Sequence, residues 1–279
     1  MVHVQIAAEE LFAIGPIVIT NSMIGALLAS AVLLFAAAWF RGASSLVPNR
    51  RQALLELPIE FLSGIVRGTG GKRWRQFAPL VFGIFLFILV ANWLSLFPGV
   101  GTIGLVETNE HGEEILVPFV RAAAADLNFT LGLALISFVA FIAFGFRANG
   151  VRGYLHELLI AEPVYMTPLL TPIHLISELS RIISLSMRLF GNVFAGEVLL
   201  ATMFSLTTAA LVMLPLAVTV PAVFLGLEML FGLVQALVFA LLSMTYITLA
   251  IAEHRQHGSD DHHPGSEPDP EAALANFAA

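Results

Sequence analysis

The sequence contains no cysteine, so disulfides, thiolate nucleophiles and thiolate metal sites are all excluded. Charge is scarce as well: Asp, Glu, Lys and Arg make up 12% of the 279 residues, against about one quarter in a soluble globular chain. With so few charges, gathered into clusters, the chain is neither a disordered protein, a nucleic-acid binder nor an ordinary soluble enzyme. What it has instead is 58% hydrophobic residues and a mean hydropathy of +0.87, which indicates a polytopic membrane protein. The net charge of −7 says less, because much of it falls in Asp260, Asp261, Glu267, Asp269 and Glu271. No Lys or Arg precedes Arg41, so the basic start of a signal peptide is missing from this sequence.

Apolar runs predict spans at 17–40, 77–97, 127–146, 169–206 and 216–252 within one membrane domain over 1–258. A crossing takes about 20 helical residues. Basic residues then orient the spans. Arg41, Arg50, Arg51, Arg67, Lys72, Arg73 and Arg75 lie between the first two, Arg147 and Arg152 follow the third, and Arg255 follows the last. The loop between spans two and three carries Glu107, Glu110, Glu113 and Glu114 against a single Arg121. Five crossings, with the N-terminus outside and the C-terminus cytoplasmic, satisfy every loop.

Between the first two spans, residues 51–67 place Leu54, Leu55, Pro58, Phe61, Leu62, Ile65 and Val66 at helical spacing, which predicts an amphipathic helix at the membrane interface. Gly68-Thr-Gly-Gly-Lys72 fails as a phosphate loop: Val66 replaces its first glycine, and Arg73 stands where Ser or Thr should hold magnesium. Asn128-Phe-Thr130 spells a glycosylation sequon too near the membrane to carry weight. Residues 259–279, rich in proline and acid, have the composition of a disordered tail, and His254, His257, His262 and His263 read better as solvated than as metal ligands.

The last two apolar runs are too long for upright spans. Residues 216–252 would form about 55 Å of helix across a hydrocarbon layer of about 30 Å, a tilt of roughly 55–60°. No Gly-Pro or Asn-Pro break interrupts the run after Phe224, so a long tilted helix is favoured over a re-entrant pair. Two such helices would make a slanted antiparallel hairpin.

These two runs also carry charge where lipid charges heavily for it: about 2.5–3.5 kcal/mol per ionisable group at the bilayer centre. Arg181 can pair with Glu178 three residues back, whereas Arg188 has no such partner. Ser177, Arg181, Ser184, Arg188 and Asn192 form one stripe, and Glu197 falls on the opposite face of that helix. An uncompensated arginine predicts a carboxylate supplied by another subunit, since guanidinium stays charged under cellular conditions. Glu228, Gln235 and Tyr246 make a matching stripe on the last helix. In an antiparallel hairpin the register sets Arg188 level with Gln235, Ser177 with Tyr246, and Glu197 with Glu228. Two carboxylates in one low-dielectric pocket cannot both ionise cheaply, an arrangement suited either to carrying a proton or to a hydrogen-bonded pair holding the hairpin. Asp126 and Asn128 either extend the polar route outward or cap their helix; His174, Ser177 and Glu178 are candidates for a route on the cytoplasmic side.

Ser184-Leu-Ser-Met-Arg188-Leu-Phe-Gly-Asn192-Val-Phe-Ala-Gly196-Glu197 strongly resembles the signature of the subunit a family of F-type ATP synthases. Gln235-Ala-Leu-Val-Phe, Tyr246, Asn92-Trp93 and Ala125-Asp126-Leu-Asn128-Phe-Thr130 fit the same family. The resemblance implies an all-α polytopic membrane stator with an interfacial amphipathic helix and a steeply tilted hairpin. It further implies two proton half-channels against a ring of c subunits, peripheral-stalk b subunits near the amphipathic helix, and a location in the bacterial plasma membrane, with an organelle membrane as the alternative. By position, Arg188 would face the ring carboxylates with Asn192 and Gln235 as polar neighbours. Glu197, Glu228, Asp126 and Asn128 would line the outer half-channel, and His174, Ser177, Glu178, Ser184 and Tyr246 the inner one. Family members often hold a histidine at one of the positions occupied here by Glu197 and Glu228; this chain has glutamate at both. No cofactor, metal or nucleotide site is implied, and the subunit itself is non-catalytic. The rival readings are a stand-alone transporter using Arg188 for an anionic substrate, disfavoured by the lack of internal repeats, and a structural subunit with inert salt bridges.

Overall fold

The computed structural model describes residues 8–15, 17–41, 50–70, 74–97, 100, 103–108, 114–159, 167–209 and 214–252. The C-terminal tail and its histidines lie outside the described residues. Strands β1 (Glu10–Ile14) and β2 (Ile17–Thr20) form a small antiparallel hairpin that leads into helix α1 (Asn21–Arg41). The expected first span began at residue 17, but Ile17, Val18, Ile19 and Thr20 pair as a strand, a state that β-branched side chains favour. Thr20 then starts α1, its hydroxyl accepting the Met23 N–H at 3.4 Å.

Helix α2 (Arg50–Gly70) buries Leu62 and Val66 while leaving Leu57, Ile59 and Phe61 exposed, and its Arg67 lies over the ring of Trp74. Trp74 opens α3 (Trp74–Ser95), where Phe77, Val81, Ile84 and Ile88, with Ala78, Phe85, Leu89 and Asn92, form one buried stripe at helical spacing. A second hairpin, β3 (Gly104–Thr108) and β4 (Glu114–Pro118), follows. A Cβ on Gly104 would strike the Val117 backbone, which is why glycine sits there. Next come a buried 3₁₀ turn, Ala123–Ala125, and α4 (Leu127–Leu159). Helix α4 runs past the expected end at 146 and breaks at Gly150, whose φ of 71° is open to glycine at little steric cost. The break brings Tyr154 back against Phe141 and Phe146.

The chain ends in two long helices, α5 (Thr167–Ala209, 43 residues) and α6 (Leu214–Ala252, 39 residues). Two contacts make them antiparallel: the Glu228 carboxylate lies against Gly196, and the Arg181 guanidinium lies 4.2 Å from the Tyr246 ring centroid. Helix α6 supplies the centre of the core through Ala236, Phe239, Ala240, Ser243, Met244 and Ile247, all fully buried. Its alanines allow close approach, as membrane helices use small residues to do when no hydrophobic drive separates lipid from protein. Buried hydroxyl pairs tie the helices together: Ser137 donates to Ser243 at 2.7 Å, and Thr130 meets Ser186 at 3.1 Å. Among the described residues, five helical stretches are long and apolar enough to cross a membrane: Asn21–Trp39, Trp74–Ser95, Leu127–Ala148, Thr167–Leu206 and Thr219–Ile251. The chain is an all-α polytopic membrane protein to which the two short hairpins are additions.

Candidate functional site

The polar residues of α5 and α6 gather at two levels, with Arg188 between them. At the level nearer the α5 N-terminus, Glu178 and Arg181 form an ion pair at 3.0 Å, one helical turn apart. Side chains on a helix lean toward its N-terminus, so the Arg181 head group reaches back to the level of Glu178 and covers Tyr246 there. His174 and Ser177 lie exposed on the preceding turns. At the other level, Glu197 and Glu228 meet through Gly196. A side chain on residue 196 would occupy the space the Glu228 carboxylate fills.

The second level holds a group that the sequence reading did not place there. Arg121, 7% exposed, reaches Glu197 with a forked contact: Nε donates to Oε1 at 3.0 Å and to Oε2 at 3.2 Å, and Nη2 donates to Oε2 at 3.0 Å. The expected pocket of two acids is therefore a pocket of two acids and one arginine. Pairing across 76 positions leaves no local pattern to read. The available signal was Arg121 itself, the one Lys or Arg in an acid-rich loop and five positions before Asp126. The segment that carries it is tightly held. Ala122, Ala123, Ala124 and Ala125 are buried, the Arg121 N–H reaches the Asn21 carbonyl at 3.5 Å, and the Arg121 carbonyl packs where a Cβ on Gly25 would go.

Asp126 belongs to the same end of the molecule. Its carboxylate accepts the Ser22 hydroxyl of α1 at 2.8 Å and the Asn128 N–H at 2.9 Å, so it caps α4 and ties α1 to it. Asn128 itself is exposed. Alongside, Asn21 donates to Glu9 at 3.1 Å. Ser22 was the other polar partner missed from sequence, because nothing in α1 marks a hydroxyl that acts 104 positions away.

Arg188 differs from Arg121 and Arg181. Its side chain is exposed, as are Ser184 and Met187 beside it, and among the described residues no acid lies within ion-pair distance of it. Glu197 lies about 13 Å along the axis and Glu178 about 15 Å the other way; each already holds an arginine. No hydrogen bond joins Arg188 to Asn192, which is half-buried, or to Gln235. Gln235 is buried, and its side-chain nitrogen has no hydrogen-bond partner among the described residues. Asn92 and Trp93 bind α6 a turn or two away, through the carbonyls of Gly232 at 3.3 Å and Met229 at 3.1 Å. No group of three metal-ligating side chains occurs among the described residues.

The family model described as ATP synthase A chain matches residues 22–248, which take in every one of these groups except Glu9 and Asn21. The chain belongs to the ATP synthase A chain family. Relatives named ATP synthase subunit a include one from Mycobacterium marinum, 34% identical over 249 residues that cover 88% of this chain and 92% of the relative. Another, from Moorella thermoacetica, is 32% identical over 254 residues, 91% of this chain and 100% of the relative. A third, from Propionigenium modestum, is named ATP synthase subunit a, sodium ion specific, and is 35% identical over 225 residues, 80% of this chain and 72% of the relative. As a family member the chain is a membrane component that works with other ATP synthase subunits.

Proposed function

We propose that this chain is the stator of a rotary F-type ATP synthase, in which Arg188 couples proton passage to rotation of a ring of c subunits. The observation that carries the reading is an exposed arginine in the middle of α5 with no counterion among the described residues. A guanidinium in lipid surroundings needs an anion or water. A ring of carboxylates passing its exposed face supplies the anion.

The two polar levels then serve as half-channels on either side of Arg188. Glu197, Glu228, Asp126 and Asn128 line the outer one; His174, Ser177, Glu178, Ser184 and Tyr246 line the inner one. Gln235 and Asn192 flank the arginine between them. A ring carboxylate arriving ionised is attracted to Arg188, and a protonated one is not. The arginine thus favours release of a proton to one half-channel before uptake from the other, and its fixed charge bars a direct leak between them. Each elementary charge that crosses the full potential releases about 2.3 kcal/mol per 100 mV. Helices of 43 and 39 residues would measure about 65 and 58 Å, so in a layer of about 30 Å they must slant, and slanted helices can follow the curved outside of a ring. The basic loops favour an N-terminus outside and a C-terminus in the cytoplasm of a bacterial inner membrane, and in this reading α2 sits near the b subunits of the peripheral stalk.

The test is Arg188→Ala in membrane vesicles holding the assembled synthase. Proton-driven ATP synthesis should be abolished while the complex still assembles. Normal coupled synthesis would refute the assignment. Running the same assay with sodium in place of a proton gradient checks the ion, since one relative carries the sodium-specific name.

A further inference from the structure

We propose that Arg121 is a positioning residue of the outer ion path: it clamps the Glu197 carboxylate and so leaves Glu228 as the acid on which the moving proton settles. The inference rests on the function proposed above. Three features of the geometry carry it. First, the Arg121–Glu197 contact is a fork in which both carboxylate oxygens are engaged, and the arginine side chain is only 6% exposed. Protonating Glu197 would strand a buried guanidinium that cannot give up its own charge. Second, Glu228 has no hydrogen bond or ion pair among the described residues, yet its carboxylate lies against Gly196, directly beside the clamped residue. It is the uncommitted carboxylate of the pocket. Third, Arg121 does not swing on a free loop. The buried run Ala122–Ala125, the Asn21 carbonyl and the close approach to Gly25 hold its backbone against α1, while its side chain crosses to α5.

Glutamate at both positions is workable in this arrangement because the arginine separates their roles. One acid is a fixed anion that orients the pocket, and the other exchanges protons with the outside and with the ring. Without Arg121 the two carboxylates become near-equivalent and compete for each proton, which slows delivery.

The experiment compares Arg121→Gln, Glu197→Gln and the double variant in vesicles containing the whole synthase, reading the initial rate of ATP synthesis against the size of an imposed proton gradient. Arg121→Gln should lower the rate about tenfold, the factor that one charge-assisted hydrogen bond carries in an equilibrium. In the Glu197→Gln background the same change should cost nothing further, because the group it acts through is gone. A merely structural ion pair would lower the amount of assembled synthase, whereas the clamp lowers the rate per assembled synthase, so each rate is divided by the assembled complex in the same vesicles. Arg121→Gln at the wild-type rate, or losses that multiply in the double variant, would overturn the proposal. If Arg121→Gln fails to assemble, Arg121→Lys takes its place: a smaller loss that vanishes in the Glu197→Gln background supports the clamp, and no loss, or one that persists there, refutes it. Arg188→Ala in the same vesicles keeps the two claims apart. Wild-type synthesis there unseats the function, whereas wild-type synthesis in Arg121→Gln unseats only the clamp.

Discussion

Gly196 is the position at which the smallest possible change should have a large effect on transport. A Cβ built on it falls within the Glu228 carboxylate, touching both oxygens and the carbon between them. Non-bonded atoms settle at about 3.5–4.0 Å, so in Gly196→Ala the carboxylate must retreat by more than about 1 Å. It can do so by rotating a flexible side chain, without moving backbone. Folding should therefore suffer little, and a helical Gly→Ala change gains about 0.5–1 kcal/mol in chain entropy to set against the repacking. Transport should suffer more, because a displacement of about 1 Å at a reacting group can cost on the order of 100-fold. We expect gradient-driven ATP synthesis in vesicles to fall between about tenfold and 100-fold at normal levels of assembled complex. Gly132→Ala is the control: nothing among the described residues lies within 4 Å of a Cβ there, so it should leave synthesis unchanged. A Gly196→Ala synthase that assembles and works at the wild-type rate would show that the position of the Glu228 carboxylate does not govern proton entry.

Other measurements address the path and the packing separately. Replacing Glu197 and Glu228 together by Gln should slow proton entry, read as reduced synthesis under an imposed gradient; an unchanged rate would remove both residues from the outer path. Ser243→Ala deletes the acceptor of the buried Ser137 hydroxyl and should destabilise the folded helices by about 0.6 kcal/mol, the average for interhelical hydrogen bonds in a membrane. Detergent-mediated unfolding would detect this, and no shift would mean that the hydroxyls are satisfied elsewhere.

Local chemistry explains how much could be read without coordinates. Five long apolar runs have one economical solution in lipid, because every backbone N–H and C=O must be satisfied inside its own helix. The Glu178–Arg181 pair follows from a spacing of three residues, and the isolation of Arg188 follows from the absence of any acid one turn to either side. The meeting of the Glu197 and Glu228 levels follows from antiparallel geometry, in which depth on one helix determines depth on the other.

Only the folded chain could decide the rest, since it depends on which surfaces pack together. Arg121 reaches Glu197, and Ser22 reaches Asp126, from segments 76 and 104 positions away, and nothing within a helical turn of either residue encodes such a partner. The β3–β4 hairpin and the turn at Gly150 likewise arise between apolar runs, where periodicity carries no signal, and β2 takes the first four residues of the first run, where an apolar stretch alone does not tell strand from helix. Sequence thus determined the spans and their charged groups, because burying a backbone or a charge in lipid has a cost each residue meets on its own. Tertiary structure decided which of those charges is answered within the chain and which is left facing outward, because compensation of charge belongs to pairs of atoms brought together in space.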